Sequence, residues 1–216
     1  MARTESAASP APAPVGPTTE RGRRARAALL VAARRVFERD GFLDARVTDI
    51  SAEAGVSHGS FYTYFGSKTG VFRALVTETM DELYASLGET GEHDGNTDPV
   101  ARIDRANRRF VAMYRENTAL MALFEQVATI DPEVRALRHA VRQRMVARVT
   151  RNVERLQEEG LADRGLDARV SANALVAMVN GLVHHWLVMG EELDEEQVVA
   201  TLTRLWAQSL GLPAGR

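Results

Sequence analysis

From Arg23 to Leu210 the apolar residues recur at spacings of three and four, and nowhere do they alternate with polar ones. That is the period of a helix and not of a strand, so the chain must fold as packed amphipathic helices. Leu29, Leu30, Ala33, Val36 and Phe37 make the first stripe, which Asp40-Gly41 ends. Thr48 is the expected N-cap of a short second helix, with Asp49 in its first turn, Ile50 and Ala54 on its inner face, and Gly55 closing it. Ser57 is placed to cap a third helix running to about Phe65, and Ser67 a fourth that carries Val71, Phe72, Leu75, Val76, Met80 and Leu83.

The segment 88–98 is turn-rich. Beyond Pro99, stripes built on Ile103–Met113 and Leu120–Val127 precede Asp131-Pro132-Glu133, an N-cap, N1 and N2 sequence. It opens a long helix that ends at Gly160, and the last two helices cover 167–190 and 195–210.

Composition narrows the function. The 216 residues suffice for one or two domains with a real core, and contain no cysteine, so thiolate chemistry and disulfides are excluded. No apolar run is long enough to span a bilayer, and the N-terminus has no apolar signal core. A cytoplasmic protein with no membrane role is expected. Residues 1–20, rich in Ala, Pro, Ser and Thr, read as a disordered tail. The net charge of −2 hides an asymmetry: residues 21–75 carry +5 and residues 76–216 carry −6. A polyanion would meet only the first part.

That first part contains AGVSHGSFYTYFGSK, residues 54–68. The break at AGVS between two short helices is a helix-turn-helix arrangement, with Gly55 free to adopt a left-handed conformation. Phe61 and Phe65, four apart, face inward, and His58, Gly59, Ser60, Tyr62 and Thr63 face outward. In such a motif the second helix enters the DNA major groove, where these side chains reach base edges and Gly59 permits close approach. Thr48, Tyr64 and Lys68 fall at helix ends, positioned for phosphates. Arg21, Arg23, Arg24 and Arg26 form either a disordered surface cluster or an arm reaching the DNA backbone or minor groove.

Residues 24–75, through ALLVAARRVFERDGF, VTDISAEAGVSHGSFYTYF and GSKTGVFRALV, resemble the DNA-binding domain of the tetracycline-repressor (TetR) family of transcriptional regulators. The resemblance implies an all-α fold of about nine helices, with a helix-turn-helix DNA-binding domain (21–67) and a ligand-binding and dimerisation domain (68–216). It implies a homodimer on double-stranded DNA. Carried over by motif position, His58, Gly59, Ser60 and Tyr62 face bases, and Thr48, Ser57, Tyr64 and Lys68 contact the backbone. Many members have His where this chain has Tyr64. Lys68, the only lysine in the chain, falls at the family's phosphate-contacting lysine.

The helix over 167–190 is apolar around most of its circumference, so one side is expected to face its own core and the other a two-fold partner, with Val198, Val199, Leu202, Leu205, Trp206 and Leu210 of the last helix completing a four-helix bundle. Candidate ligand-binding residues are Met113, Tyr114, Asn117, Phe124, Arg142, Met145, Met178 and Trp186, with Val127, Gln126, Asn180, His184 and His185 as further candidates. Such a lining suits a largely apolar effector with one polar or anionic head, a lipid-like or a drug-like molecule. Adjacent His184 and His185 diverge on a helix and lack further ligands, so no metal and no cofactor is expected. No Gly-rich phosphate loop, H-E-x-x-H motif or nucleophile elbow points to an enzyme. A ligand-released repressor on an inverted repeat is the leading expectation. A transcriptional activator, or a helical bundle that binds ligand or protein, is the alternative.

Overall fold

A computed structural model describes residues 19–89 and 98–212. Most of the expected tail and most of the 88–98 loop lie outside the described residues. Among those described, nine helices and no strand occur: α1 (Glu20–Asp44), α2 (Val47–Glu53), α3 (His58–Phe65), α4 (Lys68–Glu89), α5 (Pro99–Glu116), α6 (Thr118–Ile130), α7 (Pro132–Glu158), α8 (Ala168–Leu187) and α9 (Glu195–Ser209). The chain is all-α, as its periodicity requires. It divides into two compact units after Ala74. The division expected at residues 67 and 68 falls earlier, because the first turns of α4 pack with the N-terminal unit.

In that unit α1 starts sooner than the apolar stripe suggested. Thr19 caps it, its Oγ1 accepting from the Gly22 amide at 3.1 Å. The arginine cluster therefore stands on ordered helix: Arg23 and Arg24 both reach back to Glu20, at 2.6 and 3.1 Å. Disorder of Arg21–Arg26 is thus corrected. Asp40-Gly41 does interrupt α1, since Gly41 takes φ 75° and ψ 172°, a conformation open to glycine at little cost. The kink turns Phe42 back onto the core, where it stacks on Phe37 at 5.7 Å, and Phe72 meets Phe37 edge-on at 5.2 Å.

The α2–α3 connection is a Schellman ending. The Val56 amide donates to Ser51 O at 3.0 Å and the Gly55 amide to Ala52 O at 3.1 Å, with Gly55 at φ 64°. Phe61 and Ile50 are fully buried and Phe65 nearly so. Each such side chain contributes about 2–3 kcal/mol of burial energy to holding α3 against α1 and α2.

In the second unit α7 packs against α6 and α8, and α5 against α9 and α8. Asp131 caps α7 as expected, accepting from the Glu133 and Val134 amides at 2.9 and 3.1 Å, with Pro132 at N1. Gly160 follows the end of α7 at φ 73°. Val149, Val153 and Leu156 of α7 bury against Ala172, Leu175 and Val176 of α8 and Leu210 after α9. The apolar circumference of α8 is buried on one side only within the subunit. Its other side, Val170, Ala174, Ala177, Gly181 and His185, is exposed, Val170 at 67%.

Candidate nucleic-acid interface

The outward face of α3 is built by its own N-cap. Ser57 Oγ accepts from the Ser60 amide at 3.2 Å and pairs with Ser60 Oγ at 2.7 Å. The remaining amides of the first turn point outward from the helix end, with His58 and Gly59 exposed there. The His58 ring meets Tyr62 edge-on at 5.1 Å, and Tyr62 is 47% exposed. The imidazole and the phenol thus form one presented surface, one turn apart on the helix. A Cβ built on Gly59 meets nothing within 4 Å. The Thr63 hydroxyl donates back to Gly59 O at 3.1 Å, which commits its proton. Tyr64 is half-buried, edge-on to Phe65 at 6.5 Å.

Two flanking residues differ from expectation. Thr48 is not the N-cap of α2. Arg46 holds that position in extended backbone without a side-chain cap, and Thr48 lies one residue inside the helix, exposed, its hydroxyl donating to Asp49 Oδ1 at 3.3 Å. Thr48 stays at the helix end, and Arg46 adds an exposed cation beside it that the sequence reading passed over. Lys68 is not a free surface cation. Its Nζ donates to Leu43 O and Ala45 O, both at 2.9 Å, and lies 4.9 Å from the centre of the Phe42 ring. Burial draws its pKa below the ordinary lysine value against the pull of Asp44, while two carbonyl acceptors and a ring face hold the charged form. An ammonium has three N–H groups, so one remains for a phosphate.

Gly70 explains how the start of α4 is fixed beneath α3. A Cβ there would lie 2.0 Å from Phe65 O. Ser67 caps this turn, accepting from the Gly70 amide at 2.9 Å.

The second unit holds a mainly apolar cavity of about 150 Å³ among α5, α7, α8 and α9, with Leu87 of α4 also in its lining. Of the eight leading ligand candidates only Met145 lines it; Asn180, a further candidate, does too. The other seven lie in packed or surface positions away from it. The Tyr114 hydroxyl bonds His184 Nδ1 at 3.1 Å, and Asn117 Nδ2 donates to Met113 O at 2.7 Å. Phe124 is buried in α6, and Met178 packs on the α7–α8 core. Arg142 holds Asn173 at 3.3 Å, and Trp186 lies under the Arg115 guanidinium at 5.1 Å. The cavity is lined instead by Ile103, Phe110, Val153 and Trp206 among apolar residues, and by Arg102, Arg148 and Arg155. His184 faces inward and His185 is exposed, 3.8 Å from Glu191.

No helix among the described residues is long and apolar enough to cross a membrane. Residues 29–75 match the family model described as bacterial regulatory proteins of the tetR family, and residues 99–211 match that of the BetI-type transcriptional repressor C-terminal domain. The chain is 30% identical over 199 residues to the uncharacterized HTH-type transcriptional regulator YdgC of Bacillus subtilis, covering 90% of this chain and 96% of YdgC. It is 28% identical over 211 residues to the HTH-type transcriptional regulator EthR of Mycobacterium tuberculosis, covering 96% and 97% of the two chains. Among solved structures, a TetR-family regulator from Syntrophomonas wolfei superposes with a TM-score of 0.75 at 18% identity, over 90% of this chain and 99% of that one. The sequence motif, the helix-turn-helix geometry and these matches agree, and the chain belongs to the TetR family of DNA-binding transcriptional regulators.

Proposed function

We propose that the protein is a repressor that binds an inverted-repeat operator as a homodimer through α3 and is released by a small, largely apolar effector. The observation that carries this reading is the outward face of α3, where His58, Gly59 and Tyr62 stand exposed on a helix whose opposite face is locked by Phe61 and Phe65. His58, Gly59, Ser60 and Tyr62 meet base edges; Thr48, Ser57, Tyr64 and the remaining N–H of Lys68 meet phosphates. Ser60 is half-buried and tied to Ser57, so it contributes less than its neighbours.

The exposed side of α8, with small residues at Ala174, Ala177 and Gly181 and Leu205 of α9 at 47% exposure, supports a two-fold helical interface. A two-fold protein demands an operator of matching symmetry. The C-terminal match to a repressor model favours repression over activation. The cavity of the second unit takes the effector, which must bind the DNA-incompetent state more tightly than the competent one. The site of action is the chromosome in the cytoplasm.

The test is selection of genomic fragments by the purified full-length protein at physiological salt, followed by a reporter carrying any enriched site. Enrichment of inverted repeats and lowered reporter output support a dimeric repressor. Raised output would make it an activator, and no enrichment, even after refolding to strip bound ligand, removes the operator reading.

A further inference from the structure

The cavity of the second unit carries its own charge selection. Arg102 of α5 and Arg148 and Arg155 of α7 line it, with no Asp or Glu among the lining residues. Two of these guanidinium groups have partners. Arg148 donates to Leu87 O at 2.8 Å, and Arg155 Nε lies 3.8 Å from Glu159. Arg102 is half-buried, and its side chain makes no hydrogen bond or ion pair with the described residues. Elsewhere on α5, Arg108 is forked onto Glu196 at 2.7 and 2.9 Å and Arg115 pairs with Glu195, while Arg105 lies outside the cavity lining.

We infer that the ligand of this cavity is an amphiphilic organic anion, its oxyanion head held by Arg102 and its compact apolar body seated against Phe110, Val153 and Trp206. This rests on the cavity being the effector site. A half-buried cation beside apolar walls is stabilised by an oxyanion more than by any neutral group, because charge-assisted bonds to guanidinium are short, paired and poorly screened there. A cationic ligand would meet three like charges in the same space. The volume of about 150 Å³ sets the body: an apolar cavity of that size holds a benzene-sized molecule. Asn180 and Asn107 also line the cavity, and Asn107 is held in place by its bond to Thr203 at 3.1 Å.

The experiment is calorimetric titration of the full-length protein with 3-phenylpropanoic acid and hexanoic acid, each against its matched alcohol and amine. The acids should bind about tenfold or more tightly than the alcohols, with no detectable amine binding. Arg102→Met should erase the acid–alcohol difference while alcohol affinity stays, and Arg102→Lys, a charge-keeping control on folding, should restore part of it. Equal binding of acid and alcohol, preference for amine, unaltered acid binding in Arg102→Met, or no binding by any probe would overturn the inference. Release of operator DNA is scored in parallel. Acids that bind but leave the DNA bound would sink the effector reading and spare the ligand class; alcohols that bind and release DNA as well as acids do would have the opposite effect.

Discussion

The Lys68 ammonium donates to the backbone carbonyl of Ala45 at 2.9 Å, joining the first residue of α4 to the link between α1 and α2. A second bond to Leu43 O and the Phe42 ring face complete its surroundings. The α1 segment has no basic residue in its own last turn, so Lys68 supplies the cation that terminal carbonyls favour. The lysine thus orders the helix-turn-helix before any DNA arrives. Lys68→Met should cost the DNA-free protein about 1–2 kcal/mol in urea unfolding of the N-terminal unit. It should also lower the salt slope of operator binding by about one unit. A changed slope with unchanged stability would reduce Lys68 to a phosphate contact alone.

Gly59 and Gly70 separate DNA contact from packing. Ala at 70 would drive a Cβ into the Phe65 carbonyl, a backbone atom that cannot step aside, and should destabilise the unit by about 2 kcal/mol or more. Ala at 59 meets open space and should leave stability unchanged or raise it by up to about 1 kcal/mol. Its operator affinity should nonetheless fall about tenfold, since the added methyl would stand where the proposed reading brings the base edges. Thermal melts and fluorescence anisotropy on both variants check this. Full affinity in Gly59→Ala would remove the close approach from the recognition surface.

Much of this was legible beforehand because caps and breakers are local. Ser57, Ser67 and Asp131 cap the helices they were expected to cap, and Gly41 and Gly55 break where their neighbours allow no other reading. Thr48 was misplaced as a cap because the chain is still extended at Arg46 and turns helical at Val47; side-chain chemistry alone does not say where an extended approach ends. The cavity was largely illegible. Periodicity tells which face of a helix is apolar, not where facing side chains fail to meet. Arg102, Arg148 and Arg155 are charged residues outside the apolar stripes, yet they line the cavity, because arginine stems run along apolar walls.

The exposed side of α8 predicts its own disruption. Ala177 and Gly181 leave room for a second helix to approach closely, and a long cation there would not fit the proposed two-fold contact. Ala177→Arg adds a side chain to a position open to solvent within the subunit, so helical content should hold. Light scattering should report a dimer for the parent and a monomer for the variant at micromolar concentration, with operator affinity down about a hundredfold as paired half-site binding is lost. A dimeric Ala177→Arg would move the interface elsewhere.

Tyr114 gives a pH signature. Burial pushes the Tyr114 phenol up to about 12, against about 10 for a solvated tyrosine. Between those values the folded protein keeps a proton the unfolded chain has lost, so this contribution is complete below about pH 10 and fades as pH rises toward 12. The shift corresponds to about 2–3 kcal/mol in full. Unfolding free energies at about pH 9 and pH 11.5 should therefore fall about 2 kcal/mol further for the parent than for Tyr114→Phe. The variant also loses a bond of 3.1 Å to His184 Nδ1, but that cost is present at both pH values and cancels in the comparison. Tyr84, also raised by burial, is common to both proteins and cancels likewise. Parallel alkaline slopes would mean the Tyr114 phenol is reached by water in solution.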